Sequence, residues 1–167
     1  MFQTTKELKN VIKQLFSFVL PVTVLVLIPL YIEQEISIKN TTTLIFGLLI
    51  ICLGLFMMAS TISMFIQIGK GTLAPWSPTR KLVISGIYRY VRNPMITGVL
   101  TVLIGESLAI LSLPIFLWAV IFYLINTVYF ILYEEPDLEK KFGDKYREYK
   151  RNVSRWLPRT TPYNPDQ

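Results

Sequence analysis

Four apolar stretches, each about as long as a bilayer is thick, leave this chain few folds to choose from. Leu15–Ile32 and Leu44–Ile68 contain no charged residue, Met95–Leu113 contains only Glu106, and Ile115–Tyr133 contains none. A helix crosses hydrocarbon with about 20 mostly apolar residues at 1.5 Å rise each. In lipid every backbone polar group must be satisfied within the segment, which selects helices or a closed barrel. The expected fold is an all-α integral membrane protein with four transmembrane helices, at about 15–32, 44–68, 95–113 and 115–133. An amphipathic cytoplasmic segment follows them, and residues 1–167 form a single membrane-embedded domain. Ser112-Leu113-Pro114 leaves room for little more than a turn, so the last two spans form a tight helical hairpin. Pro21 and Pro29 are expected to kink the first span. The charged fraction of 17%, against about 25% in soluble domains, excludes disorder and an ordinary water-soluble core.

The charges give the orientation. Lys6, Lys9 and Lys13 precede the first span, and the segment 69–94 carries Lys70, Arg80, Lys81, Arg89 and Arg92 with no acid. The tail holds eight more basic residues, while the segment 33–43 has Lys39 beside Glu33 and Glu35. Sixteen of the 17 basic residues thus fall on one side of an even number of spans. Basic residues mark the cytoplasmic face, so both termini are expected there, in the inner (plasma) membrane. Topology and anionic headgroups account for the net charge of +6, and no nucleic-acid partner is expected. The first span is too long for a cleaved signal peptide and no small-residue cleavage site follows it.

The chain has no histidine. That removes the commonest general base and the usual zinc ligand, and no metal site is expected. Cys52, the single cysteine, can close no disulfide within the chain.

Two cytoplasmic segments, 78–94 and 134–158, flank the hairpin and carry unusual chemistry. In PTRKLVISGIYRYVRNP, Tyr88, Arg89, Tyr90, Arg92 and Asn93 crowd the start of the third span. They read either as an interfacial belt or as a binding surface: Arg for a carboxylate, Asn for a base edge or amide, Tyr for stacking or a cation. Asn93-Pro94 suits a helix start, with Asn as the cap. After the fourth span, Glu134 and Glu135 stand next to Tyr129 and Tyr133, a combination suited to a cationic ligand. Pro136 is expected to begin a new helix. Leu138, Phe142, Tyr146, Tyr149, Val153 and Trp156 then recur at helical spacing, with a break possible at Gly143-Asp144. That stripe is expected to lie on the membrane surface. Within the third span, Gly98, Thr101, Gly105, Ala109 and Ser112 form a small-residue stripe for close helix packing. Glu106 beside it is either a functional group or a glutamic acid bonded to a neighbour such as Asn126.

The motifs GIYRYVRNPMITG and EEPDLEKKFGDKYREYKRNVSRWLP, about forty residues apart around a hairpin, together resemble the isoprenylcysteine carboxyl methyltransferase family in its smaller prokaryotic form. The likeness covers residues 78–158, and the first two spans match by hydropathy alone. It implies an enzyme using S-adenosylmethionine, bound in a cytoplasmic pocket roofed by the C-terminal segment. Tyr88, Arg92, Asn93, Pro94 and Gly98 match the first motif. Glu134, Glu135, Leu138, Phe142, Tyr146 and Tyr149 match the second. With Tyr133 beside the acids, these imply cofactor-binding positions at Tyr88, Arg92, Asn93, Pro94, Gly98, Tyr133, Glu134, Glu135, Leu138, Tyr146 and Tyr149. Arg92, Glu135 and Arg151 are the expected catalytic residues, with Arg92, Arg151 or Arg155 orienting the acceptor anion. Many relatives have His where this chain has Asn93, and Asn cannot take up a proton near neutral pH.

A carboxylate acceptor is already ionised at pH 7 and needs no base, so carboxyl O-methylation of a lipophilic, isoprenylcysteine-like substrate is the leading expectation. Glu135→Gln and Asn93→Ala are expected to weaken cofactor affinity without unfolding the chain. Alternatives are methylation of a phospholipid amine or a thiol, an NADPH-dependent membrane reductase of sterol-reductase type, and a non-enzymatic membrane subunit. Expected partners are a lipophilic or lipidated substrate and membrane lipids.

Overall fold

A computed structural model describes residues 19–35, 37–68 and 82–165. Lys6, Lys9, Lys13, residues 15–18 of the expected first span, and the loop carrying Lys70, Arg80 and Lys81 lie outside the described residues. Every element among the described residues is helical. In order they are α1 (Val19–Ile32), α2 (Thr41–Ile68), a 3-10 turn at Gly86–Arg89, α3 (Pro94–Ile110), α4 (Leu113–Tyr129), α5 (Glu135–Phe142) and α6 (Asp144–Asn152). Among the described residues, two helical stretches are long and apolar enough to cross a membrane, Thr41–Met64 and Leu113–Phe142, while α1 and α3 are shorter apolar helices. Phe46, Leu49, Phe56, Leu124 and Ile125 point outward from α2 and α4, each more than half exposed. Such a surface fits hydrocarbon and not water.

The small-residue stripe does what its spacing predicts, and α2 is its partner. A Cβ on Gly47 would come within 2.6 Å of the Ala109 Cα, one on Gly54 within 2.7 Å of the Gly98 carbonyl, and one on Gly105 within 2.8 Å of the Ile51 amide nitrogen. The two backbones therefore touch along several turns. Met58 of α2, Val99, Val102 and Leu103 of α3, and Ala119 of α4 fill the core beside this seam.

The hairpin turns where expected. Leu111 takes the left-handed conformation at φ 53°, and the Ser112 hydroxyl accepts from the Ile115 amide to cap α4. Ser112 also donates to Glu33, and Lys39 Nζ donates to the Leu111 carbonyl at 3.4 Å. The α1–α2 loop is thereby tied to the hairpin tip. The prolines of α1 flank a π turn at Thr23–Leu27, whose Val24 carbonyl accepts from Trp118 Nε1 at 3.2 Å.

Pro136 stands in the first turn of α5, as expected, but no break precedes that helix. The rod runs on from Leu113 to Phe142 through a π turn at Phe130–Glu134, where the Glu135 amide reaches back five residues to the Phe130 carbonyl. Proline cannot donate to the carbonyl four residues earlier and its ring crowds it. The helix widens by one residue just before Pro136 and continues.

The rod ends at Gly143, at φ 58° and ψ −132°, a region nearly closed to other residues. A Cβ there would meet nothing within 4 Å, so the need for glycine is conformational and not steric. Gly143→Ala is expected to cost about 1–3 kcal/mol, read as a lowered unfolding midpoint in detergent with no change in helical content.

The apolar stripe of α5 and α6 does not lie on a membrane surface. Tyr146, Tyr149 and Val153 are buried against Tyr163, with Leu82, Ile84, Leu138 and Phe142 around them. The protein's own residues 82–84 and 163 cover this face.

Candidate functional site

The site lies where the rod leaves its apolar portion. The apolar run of α4 ends at Tyr133, so Glu134 and Glu135 stand just outside it. The wide turn re-aims them: over 130–135 a π turn advances each residue by less than the 100° of an α-helix. Glu135 therefore faces the start of α3 instead of turning away.

Glu135 is the centre of a buried ion cluster. It is 4% exposed. Its Oε1 accepts from Arg92 Nη1 at 2.8 Å and from Arg155 Nε and Nη2, each at 2.7 Å. Its Oε2 pairs with Lys150 Nζ at 2.9 Å, and Lys150 reaches Glu139 at 2.8 Å. Arg92 Nη1 also donates to the Tyr146 hydroxyl at 3.3 Å. Burial alone would raise the Glu135 carboxyl, but the hydrogen bond from Lys150, the charge of Arg92 and the hydrogen bond from Arg155 outweigh it and hold the group below its usual range.

Glu134 has the opposite environment. Among the described residues it makes no hydrogen bond or ion pair. Burial, and then the charge of Glu135 beside it, push its carboxyl up to about 7. Its charge is felt by the half-buried Tyr88, whose carbonyl accepts from the Tyr149 hydroxyl at 2.6 Å. Of two adjacent acids, one is spent on the fold and the other makes no such bond among the described residues.

A strap made of residues 153–163 completes the site. The Arg92 amide donates to the Ser154 carbonyl, the Arg159 amide to the Tyr90 carbonyl and the Tyr163 amide to the Arg89 carbonyl, each at 2.9 Å. Side chains add to this stitching: Arg92 Nε donates to the Val153 carbonyl at 2.9 Å and Arg89 Nε to the Tyr163 carbonyl at 2.8 Å. The Tyr163 hydroxyl donates to Glu148 at 2.9 Å.

The expected residues divide. Arg92, Glu135 and Tyr146 are joined by hydrogen bonds, Tyr149 bonds to Tyr88 and meets Tyr146 ring to ring, with Asn93 and Pro94 next along the chain and Glu134 beside them. Three expected residues lie apart from the cluster, while Leu138 adjoins its Tyr146 and Tyr149. Gly98 sits in the α2–α3 seam against Gly54 and Met58. Leu138 packs in the apolar group under α6. Tyr133, 65% exposed, stacks on Tyr129 with centroids 5.9 Å apart. Arg151 is exposed and makes no hydrogen bond or ion pair among the described residues, while Arg155 reaches Glu135.

Two local expectations are corrected. Asn93 is the N-cap of α3 and Pro94 stands in its first turn, as expected, but the Asn93 side chain makes no capping bond; its carbonyl accepts from the Thr97 amide and hydroxyl, and its amide group has no partner among the described residues. Glu106 does not pair with Asn126, whose Nδ2 donates within its own helix to the Phe122 carbonyl; Glu106 Oε2 is buried without a partner among the described residues. Sequence reasoning missed Lys150 and the backbone strap. For Lys150 the one available signal was its place opposite the apolar face of α6.

An all-helical membrane protein with a buried ion cluster and one spare acid at its polar end is the class that fold and site define. The family model for phospholipid methyltransferases matches residues 42–145, from the start of α2 into α6. The chain belongs to the phospholipid methyltransferase family, part of the isoprenylcysteine carboxyl methyltransferase-like superfamily. Membership indicates a membrane methyltransferase. An uncharacterised protein of Haemophilus influenzae is 46% identical over 57 residues, which is 34% of this chain and 81% of that protein. No solved structure matches.

Proposed function

We propose that this chain is an S-adenosylmethionine-dependent methyltransferase, working at the cytoplasmic face of the inner membrane on a lipophilic acceptor. The observation that carries this is Glu134: a half-buried carboxylate with no partner among the described residues, next to a cluster in which every neighbouring acid is paired. The uncommitted Asn93 amide and the first turn of α3, whose amides have no helical acceptor, fit the polar ends of such a cofactor. When bound, S-adenosylmethionine supplies an electrophilic methyl group on a sulfonium. Tyr88 and Glu134 would hold its cationic part. The Arg92–Glu135–Arg155 cluster would fix the pocket wall and the strap that roofs it. All four apolar helices cross the bilayer in this reading, with Lys39 and the hairpin tip on the far side.

The acceptor is an amine headgroup of a membrane lipid. An ammonium must lose a proton before its nitrogen can attack, and Glu134, with its carboxyl at about 7, would take that proton. A carboxylate acceptor is the second reading, favoured by the positive excess around Glu135, where three cations face two acids.

Thermal unfolding in detergent with S-adenosylhomocysteine, and with NADPH in parallel, tests the cofactor class. At about a hundred times its dissociation constant a ligand adds about 2.7 kcal/mol. The expected result is a shift with S-adenosylhomocysteine alone, diminished in Glu134→Gln. A shift with NADPH alone would move the chain to the reductases.

A further inference from the structure

Trp156 leaves the stripe to which its spacing assigns it. Where the rest of the strap is stitched by main-chain bonds, Trp156 reaches back to the apolar part of the rod. Its ring lies 5.4 Å from Tyr123 and 5.6 Å, edge-on, from Phe130. Those two residues are seven apart and share one face of the rod. Two turns of helix separate them, and Glu134 follows one turn further on.

This joint has a defect. The indole Nε1 is buried and has no acceptor among the described residues. Trp156 is a donor only, and buried donors in native proteins are almost always satisfied. An interfacial anchor would keep its N–H in the wet headgroup layer, whereas this one is covered. Tyr123 is 39% exposed, so one wall of the joint borders the lipid. The joint is thus held by ring contacts alone, with an orphan donor inside that a visiting oxygen atom would satisfy.

We propose that Tyr123, Phe130 and Trp156 form a lateral seat for the lipid acceptor, in which the Trp156 N–H donates to a carbonyl oxygen where the tail joins the headgroup. The seat selects ester-linked lipids: an acyl ester offers a carbonyl oxygen at that junction, and a prenyl thioether offers none. Apolar tails lie along the exposed face of α4, and the headgroup extends one turn further to Glu134. This rests on the methyltransferase reading for its purpose, but not for its test.

The test is equilibrium binding of dihexanoyl-phosphatidylethanolamine and its dihexyl diether analogue to the full chain in detergent, followed by the unfolding midpoint. One net hydrogen bond makes the diester about fivefold tighter than the diether. Trp156→Phe keeps a ring and removes the donor, so it should bind both lipids equally, at the diether level. Equal binding of the two lipids by the wild type, or a preference that survives in Trp156→Phe, would overturn the seat. An S-adenosylhomocysteine shift, measured in the same samples, shows that Trp156→Phe is folded. Its absence from the wild type would count against the methyltransferase reading and not against the seat.

Discussion

Glu135→Ala should destabilise the protein by about 3–5 kcal/mol, the cost of breaking a buried ion cluster by removing one sign. Arg92 and Arg155 would be left with side chains 9% and 17% exposed and no carboxylate, while Lys150 would keep Glu139. The loss should appear as a lowered unfolding midpoint in detergent. It should also loosen the strap, read as faster hydrogen exchange at the Arg92, Arg159 and Tyr163 amides. Glu135→Gln should lose less, and its loss should appear without any cofactor, contrary to the sequence expectation that this change would affect affinity alone. pH provides a second reading. The folded Glu135 carboxyl lies below its ordinary value, so its stabilising contribution is complete above the ordinary carboxylate range of about 4. It is lost as the pH falls through the folded value. Wild type should therefore lose this increment in acid, and Glu135→Gln should lack that part of the acid response.

The second large effect lies in the seam. Gly54→Leu should prevent α2 and α3 from packing. Its Cβ alone would stand 2.7 Å from the Gly98 carbonyl oxygen and 2.8 Å from the Val102 nitrogen, and backbone atoms cannot swing aside. The cost should reach or exceed the ~3 kcal/mol typical of severe overpacking. In lipid there is no compensating hydrophobic gain from holding the helices together at a larger distance. Loss of the folded fraction in size-exclusion chromatography would check this. Leu53→Ala, on the outward face of the same helix at 55% exposure, should fold normally.

What could be read from the residues, and what could not, follows from the kind of signal each feature leaves. Apolar runs located α2, α3 and α4 to within a few residues, because length and apolarity are carried by the side chains themselves. The stripe Gly98–Gly105–Ala109 identified a seam for the same reason, although nothing in it names α2 as the partner. Periodicity found the Tyr146–Tyr149–Val153 face but assigned it to lipid. A stripe reports that a face is covered and not by what; residues 82–84 and 163 cover it. The π turn left no mark except Pro136, because it is a matter of which carbonyl each amide reaches. Glu134 and Glu135 look equivalent as letters and diverge only because that turn aims one at Arg92. The strap is invisible for the plainest reason: its links are largely main-chain, so any sequence could supply those atoms.

That strap also sets an order of events during synthesis. Arg89, Tyr90 and Arg92 emerge 61 to 74 residues before their partners at 153–163. A nascent chain that has delivered both halves of the hairpin to the membrane already has its apolar helices, yet it has no carbonyl for the Arg92 guanidinium and no Arg155 for Glu135. The strap therefore cannot close until residues 153–163 have left the ribosome. A product lacking residues 153–163 would leave Arg92 and Glu135 each short of partners they have in the finished fold.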